Sequence, residues 1–444
     1  MRYDIVIYGA TVVTVNADRD ILENGLVCIK GNRLEWIGTL EHHPGVPEAE
    51  VTIDAGGHIV LPGLVNTHSH LPMTLFRGLA DDLPLNEWLE KHIFPAEAAH
   101  INPESVQTGA SLAAAEMILS GTTTCCDGYF LQEYAARAVE ASGLRAILGQ
   151  GVIDVPAPGV PDPDDNIANA VAFVENWQGA ASRIQPSIFC HSPYTCSKQT
   201  LQAAKRAADK YGLLFQIHVA ETRQERDRIQ AEHRTTPIRY LDRLNLLDHK
   251  TLLVHCIWVT REDIFTIAHR RAKISHNPES NMKLAGGIAP LPLLLEAGIA
   301  VGLGTDGCAS NNNQDLFQAM DMAAKLHKVD TMDPTAADAE SVLYMATRGG
   351  AEAIGLGGEI GSLEVGKKAD VIIMDTRQPH LTPLYHPVSH IVYAARGSDV
   401  STVVIDGRMV LQDRKLLTID LDAVLNAARG LARKIGRNDR CAIS

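Results

Sequence analysis

Short apolar runs recur along the middle of the chain, and segments with the residue pattern of helices separate them. Strands that alternate with helices form parallel sheets, and roughly eight repeats of this pattern close a (β/α)₈ barrel. The pattern indicates an α/β protein, and we predict a TIM-like barrel over residues 57–360. An open doubly wound sheet is the alternative, but it gives no reason for the polar residues that end so many of the runs.

The two ends of the chain differ from the middle. Residues 1–56 and again residues 361–444 contain short β-like runs, separated by turn signals such as Lys30-Gly31-Asn32-Arg33. We predict that the two ends pair into one small β-sandwich domain, with the barrel inserted between its parts. A helical pattern near the C-terminus completes the second part.

Polar residues end the predicted barrel strands, and the first strand carries two of them. His68 and His70 follow the apolar run 59–61 at positions i and i+2, so both side chains lie on one face of the strand. Imidazole is a common ligand of zinc and iron, although one such pair can arise by chance. Five further strand ends add His191, His218, His255, His276 and Asp306. In a barrel these ends converge on one mouth, where active sites lie, and we expect all seven residues there.

Composition argues against several kinds of partner. The net charge of −13 disfavours a nucleic-acid backbone, which needs a basic protein face. No stretch long enough to span a bilayer is free of charges, and the N-terminus begins as a strand rather than as a signal peptide. The eight cysteines are scattered without any Cys-x-x-Cys pair, which favours a reducing compartment. We therefore expect a cytoplasmic protein whose partner is a small molecule, not a nucleic acid or a membrane.

The chain resembles the amidohydrolase superfamily and, within it, the 5′-methylthioadenosine/S-adenosylhomocysteine deaminases, which are related to triazine hydrolases. The resemblance covers nearly the whole chain and rests on these motifs: Asn66-Thr67-His68-Ser69-His70, Arg77-Gly78-Leu79-Ala80-Asp81-Asp82, His191-Ser192-Pro193-Tyr194, His218-Val219-Ala220-Glu221, Thr305-Asp306-Gly307, Ser310-Asn311-Asn312 and the segment 361–370. It implies a metal-dependent hydrolytic deaminase that converts the 6-amino group of an adenine nucleoside to the inosine analogue and ammonia. The alternative is a hydrolase of another ring, such as an s-triazine, guanine or cytosine. Family habit also suggests a homodimer or a tetramer.

The resemblance also implies a set of metal ligands, which are His68, His70, His218 and Asp306. Three imidazoles and one carboxylate leave a coordination position for water, as a catalytic site requires. Superfamily members with two metals usually bridge them with a carboxylated lysine at the end of the fourth strand. Here that strand ends in Cys190-His191 without a lysine. We therefore expect one divalent metal per subunit, zinc in preference to the alternative Fe²⁺.

Catalytic roles follow from the same resemblance. Glu221, three residues after His218, would donate a proton to N1 of the purine ring, as a carboxyl beside a metal and a purine can do. Asp306 would accept the proton of the attacking water and pass it to the departing ammonia. His255 would orient that water and shuttle protons, and a role as a weak metal ligand stays open.

Three residues are candidates for contact with the substrate. Glu97 aligns with the glutamate that binds the ribose 2′- and 3′-hydroxyls, and an exposed helix glutamate is the alternative. His191 would face the sugar or the ring. Trp88 would cover the base or the 5′ substituent, or else anchor its own helix. Residues 151–182 contain no Lys or Arg, so a carboxylate tail finds no cation there unless Arg183 reaches in. We therefore predict a preference for 5′-methylthioadenosine and adenosine over S-adenosylhomocysteine.

Overall fold

The computed structural model describes residues 2–442, without the side chains of Asn86 and of residues 437–442. The strands are β1 (Tyr3–Val13), β2 (Ile21–Lys30), β3 (Arg33–Thr39), β4 (Ala49–Asp54), β5 (Ile59–Pro62), β6 (Leu64–Ser69), β7 (Thr122–Tyr129), β8 (Arg145–Val152), β9 (Ile184–Cys190), β10 (Phe215–Val219), β11 (Thr251–His255), β12 (Lys273–His276), β13 (Val301–Leu303), β14 (Val371–Met374), β15 (Val400–Ile405), β16 (Arg408–Gln412) and β17 (Lys415–Leu416).

The α-helices are α1 (Leu85–Trp88), α2 (Phe94–His100), α3 (Pro103–Leu119), α4 (Gln132–Ser142), α5 (Asn166–Trp177), α6 (Lys198–Tyr211), α7 (Arg223–His233), α8 (Pro237–Arg243), α9 (Arg261–Arg270), α10 (Pro278–Lys283), α11 (Leu291–Glu296), α12 (Leu316–Thr331), α13 (Ala339–Ala346), α14 (Arg348–Ala353), α15 (Pro387–Tyr393) and α16 (Leu421–Ala442). Short 3₁₀ turns lie at Leu40–His42, Leu71–Phe76, Pro163–Asp165, Pro379–Leu381 and Gly397–Asp399, and a π-helical turn at Leu89–Ile93 joins α1 to α2.

Strands β6 to β13 form a parallel sheet in which spatial order equals chain order. Every residue of β6, β7 and β8 is buried, as expected for strands that the sheet interior covers on one face and helices cover on the other. Three helices, α6, α7 and α9, which follow β9, β10 and β11, begin at hydroxyl caps. Ser197, Thr222 and Thr260 each accept a backbone N–H from the first turn of α6, α7 and α9. The predicted barrel is confirmed.

The barrel closes where its first and last strands meet. Ser69 forms a parallel bridge with Asp306, and the backbone N–H of Asp306 donates to the carbonyl of His68 at 2.9 Å. Gly304 makes this approach possible. A Cβ atom on Gly304 would lie 2.3 Å from Asn277 Oδ1 and 3.0 Å from the Cβ of His68. Closure therefore places the residues that follow β13 directly beside the histidines that end β6.

Both ends of the chain contribute to a second sheet, as predicted. In the described part of the chain it has nine strands of mixed direction, joined in the order β17-β16-β15-β14-β5-β1-β2-β3, with β4 beside β1. Strand β5 lies at the centre of this sheet, parallel to β1 and antiparallel to β14, and Gly63 alone separates it from the first barrel strand. The domain limits at residues 56 and 360 stay a prediction.

Arg145 links the two sheets. It is the first residue of β8, and its guanidinium forms a two-point ion pair with Asp370 at 2.9 and 3.0 Å and a further contact with Asp406 at 3.2 Å. Asp370 precedes β14 and Asp406 follows β15, so both carboxylates belong to the terminal sheet. All three side chains are nearly inaccessible to solvent. The contact ties the N-terminal end of the barrel to the second domain.

Two smaller expectations also bear on the fold. Among residues 2–442, no helix is both long enough and apolar enough to cross a bilayer. Seven of the eight cysteines are free and buried. The side chain of the remaining one, Cys441, lies outside the described residues.

We expect Arg145→Met to lower the free energy of unfolding by about 3–5 kcal/mol, because it leaves the buried carboxylate of Asp370 without its cation and leaves Asp406 with Lys368 alone. The matched control is Arg137→Met, which removes an exposed ion pair with Glu133 on α4. That change should stay within about 0.5 kcal/mol of the wild type. Thermal and denaturant unfolding measure both, and equal effects of the two substitutions would contradict the linking role of Arg145.

Candidate active site

A cavity opens at the C-terminal ends of the barrel strands. The predicted site residues that line it are His70, Trp88, Glu97, His191, His218, Glu221, His255 and Asp306. His68 lies beneath the surface of the cavity, fully buried, with its Nε2 atom 3.0 Å from Nε2 of His218. The structure therefore brings all nine predicted site residues together.

His276 lies elsewhere, and the expectation that it belongs to the mouth is wrong. It is buried at the end of β12, and its Nε2 faces Nε2 of His327 at 3.0 Å. His327 belongs to α12, on the outside of the barrel. A strand end places the backbone at the mouth, but the ring of His276 turns outward toward the helix layer.

Four buried side chains form a group that can hold a metal ion. Among the described residues, one ligand atom each of His68, His70, His218 and Asp306 lies within 4.8 Å of all the others. Nε2 of His68 and Nε2 of His70 lie 3.3 and 3.2 Å from the same oxygen, Oδ1 of Asp306. Three imidazoles and one carboxylate are a donor set typical of catalytic zinc and of other divalent ions.

Hydrogen bonds behind the ligands aim them at a common point. His70 Nδ1 lies 2.5 Å from the carbonyl of Gly128 and donates to it, which leaves Nε2 as the free donor atom toward Asp306. Ser280 and Ser310 donate their hydroxyls to Oδ2 of Asp306 at 2.6 and 2.9 Å, so Oδ1 remains for the imidazoles. Contacts of this kind set the tautomer and orientation of metal ligands.

The charges of the group also fit a cation. Burial lowers the pKa of His68 to about 4 and that of His218 well below its usual value, so both rings are neutral, the form that binds metal. Burial opposes ionisation of Asp306, but hydrogen bonds to His68 and His70 hold the pKa of this carboxyl well below its usual range. Burial also disfavours charge on His70, yet Asp306 outweighs it and raises the pKa of His70 to about 9. His70 is therefore the ligand that must release a proton when a metal binds.

Glu221 and His255 face each other beside the metal group. Nε2 of His255 lies 3.7 Å from Oε1 of Glu221, and Nδ1 of His255 lies 2.9 Å from Oδ1 of Asn281. The shorter contact, to an amide oxygen that can only accept, favours a proton on Nδ1, although the amide nitrogen of Asn277 also lies 3.4 Å from this atom; Nε2 faces the cavity. Burial raises the pKa of Glu221, which favours a protonated carboxyl.

The backbone at three of these strand ends lies in the left-handed region, which residues other than glycine rarely adopt. The φ angles are 53° at Ala220, 76° at His255 and 63° at Asp306. Each angle turns the chain sharply at the point where it leaves the barrel wall. Strain of this kind concentrates at functional sites, where surrounding contacts hold it in place.

The wall of the cavity also contains the predicted substrate contacts. Glu97 is buried, its Oε1 accepts the hydroxyl of Tyr129 at 2.5 Å, and burial raises its pKa to about 7. His191 lies between the metal group and Phe94, with ring centroids 5.4 Å from His218 and 6.2 Å from Phe94. Trp88 is buried and lines the wall of the cavity.

Sequence reasoning missed the residues that orient the site. Tyr129, Ser280 and Asn281 contact Glu97, Asp306 and His255 only through the fold, so spacing along the chain contains no signal for them. Ser310 lies in a quoted motif, Ser310-Asn311-Asn312, but its hydrogen bond to Asp306 was not anticipated.

Comparison with known proteins agrees with the fold and the site. Residues 59–410 match the model of the amidohydrolase family, and the chain belongs to that family. It is 45% identical to a 5-methylthioadenosine/S-adenosylhomocysteine deaminase of Syntrophobacter fumaroxidans, covering 98% of this chain and 99% of that one. It is 46% identical to a 5′-deoxyadenosine deaminase of Methanosarcina acetivorans, covering 97% and 98%. The crystal structure of an adenosine deaminase from Xanthomonas campestris with bound zinc has a TM-score of 0.96 at 36% identity, covering 98% and 99%.

The geometry makes a prediction about the open role of His255. Within the described part of the chain it is not one of the four grouped ligands, and its Nε2 faces Glu221 instead. His255→Gln should therefore retain one metal ion per chain while activity falls by about 10²–10⁴, the usual contribution of a group that moves a proton. His218→Gln should lose the metal. Elemental analysis of both purified variants measures the metal content per chain. Loss of metal from His255→Gln would contradict the conclusion that His255 is not a metal ligand.

Proposed function

We propose that this protein is a metal-dependent hydrolytic deaminase that converts the 6-amino group of an adenine nucleoside to the inosine analogue and ammonia. One observation carries the proposal. The metal group, the acid Glu221 and the buried carboxyl of Glu97 all border a single cavity with largely apolar walls. Relatives that are 45% and 46% identical over nearly the whole chain are named as deaminases, which supports the proposal.

The metal site defines where the reaction would occur. A divalent ion, for which zinc is our proposal, would be held by His68, His70, His218 and Asp306 and would acidify a water molecule so that hydroxide forms at neutral pH. Glu221 would donate its proton to ring N1, and burial, which raises the pKa of this carboxyl, favours its protonated form. His255, with Nδ1 bound to Asn281, would hold the attacking water through Nε2. Asp306 would take a proton from that water and pass it to the departing amino group.

Glu97 would bind the ribose. A carboxylate can accept hydrogen bonds from two neighbouring hydroxyls, and Tyr129 holds this one in place from the other side. His191 would face the sugar between Glu97 and the metal group. Trp88 would cover the base or the 5′ substituent from the wall of the cavity. The burial of Glu97 supports this role over that of an exposed helix glutamate.

The wall near the 5′ end of such a nucleoside would be apolar. It includes the loop 155–158, with the sequence Val-Pro-Ala-Pro, and none of the described residues that line the cavity is Lys or Arg. Arg183 precedes the first residue of β9, whereas the mouth follows the last residue, so a strand of about 20 Å separates it from the cavity. A substrate with an apolar or absent 5′ substituent therefore fits better than one with an amino-acid tail.

We also propose that the enzyme is a cytoplasmic homodimer or homotetramer whose partner is the nucleoside. The buried free cysteines support a reducing compartment, and the net charge of −13 supports a small-molecule partner over a nucleic acid. Family habit supports the oligomer.

A nucleoside panel tests the function directly. Ammonia release should give a kcat/KM for 5′-methylthioadenosine, 5′-deoxyadenosine and adenosine that is at least about tenfold above the value for S-adenosylhomocysteine, because its carboxylate loses water without gaining a cation. A clear lead for S-adenosylhomocysteine would contradict the 5′ preference. Turnover of guanine or an s-triazine without turnover of any adenine nucleoside would overturn the proposed function itself.

Glu97 predicts a pH dependence that differs between two matched substrates. Its pKa is raised to about 7, so the acceptor carboxylate is lost as the pH falls through about 7. The kcat/KM for adenosine should therefore fall at acidic pH more steeply than that for 2′,3′-dideoxyadenosine, which lacks the diol. Glu97→Gln should remove the difference and lower kcat/KM for adenosine by about 10- to 100-fold, the loss of a hydrogen bond to a charged group. Parallel pH profiles for both substrates in the wild type would refute the contact.

A further inference from the structure

Glu225 is a buried carboxyl that the proposed chemistry does not use. It is the third residue of α7, is 4% exposed and does not line the cavity. Its Oε1 accepts the backbone N–H of Ala220 at 2.8 Å, and its Oε2 accepts the backbone N–H of Glu221 at 2.8 Å. One side chain thus binds the two peptide groups that flank the α-carbon of Ala220, and the second of them joins Ala220 to Glu221.

The turn that Glu225 binds connects the metal ligand His218 to Glu221. Ala220 adopts a φ of 53° there, and its carbonyl accepts the N–H groups of Ile257 at 3.0 Å and Trp258 at 2.8 Å. The loop after β11 therefore holds this turn through its carbonyl, and Glu225 holds it through its N–H groups. A residue other than glycine keeps a left-handed backbone conformation only where surrounding contacts hold it.

Helix α9, which follows the next barrel strand, β11, shows what capping alone requires. Asp263 is the third residue of α9 and is fully buried, and its carboxylate accepts the N–H of the N-cap residue Thr260 at 2.9 Å. Glu225 occupies the same helix position but is one methylene longer, and it reaches past the N-cap Thr222 to the two preceding residues. The carboxyl of Glu225 therefore binds backbone beyond the helix terminus, including the N–H of Glu221.

We propose that Glu225 is a positioning residue, which fixes the backbone of Glu221 so that its carboxyl faces His255 and the metal group. The inference rests on the proposed function, since it assigns Glu221 the role of proton donor. A carboxyl offers two acceptor oxygens for the two N–H groups. A glutamine offers one oxygen and sets an NH₂ group against the other N–H, so Glu225→Gln breaks the arrangement at nearly constant volume.

The test compares Glu225→Gln on α7 with Asp263→Asn, the matched change on α9. Glu225→Gln should lower kcat for 5′-deoxyadenosine by about 10- to 100-fold, with KM changed less than about threefold and one metal ion per chain retained, because a small misplacement of a catalytic group costs about this much. Asp263→Asn should lower the thermal midpoint to a similar extent and leave kcat unchanged. A kcat within about twofold of wild type for Glu225→Gln would overturn the proposal.

A second arm separates positioning from general destabilisation. In a Glu221→Gln background the acid is already absent, so adding Glu225→Gln should lower the residual kcat by less than about twofold. An additional loss as large as in the wild-type background would overturn the proposal. If Glu225→Gln does not fold, Glu225→Asp, which is too short to bind both N–H groups, is judged by the same two criteria. Absence of any deaminase activity in the wild type would instead refute the proposed function.

Discussion

The hydrogen bond from the N–H of Asp306 to the carbonyl of His68 closes the barrel, and the metal group depends on it. The same contact that joins the last strand to the first brings a carboxylate to 3.3 and 3.2 Å from two imidazoles. The absence of a side chain at Gly304 permits this approach. The fold and the site therefore depend on each other, because the contact that closes the barrel also places Asp306 beside the histidines of the metal group.

A second tier of contacts converts a cluster of polar groups into an oriented site. The carbonyl of Gly128, the hydroxyls of Ser280 and Ser310, and the amide of Asn281 each bind the far side of a residue that faces the cavity. These partners leave one defined nitrogen or oxygen free on each inner residue. Pre-orientation of this kind lowers the cost of organising the site at the moment of reaction.

The sequence predicted the barrel and the mixed domain of the two termini because each has a periodic or local signal, and the family resemblance selected the four metal ligands among the polar strand ends. Apolar runs alternate with helical patterns, and polar residues end the runs. The direction in which a strand-end side chain points has no such signal. The expectation that His276 lies at the mouth is wrong for this reason. Burial of Glu97 was likewise beyond the sequence, because Tyr129, its partner, is 32 positions away along the chain and meets it only in the barrel. The contacts of Glu225 with the backbone of Ala220 and Glu221 likewise have no signal in the sequence.

We propose that a single divalent ion, held by three histidines and one aspartate, makes this barrel a nucleoside deaminase. The most direct measurement removes bound metal with a chelator, returns Zn²⁺ in small increments and follows ammonia release from 5′-deoxyadenosine. Activity should be negligible at first, rise linearly and stop rising at one equivalent per chain. Full activity in the chelated protein, or a rise that continues to two equivalents, would contradict the claim.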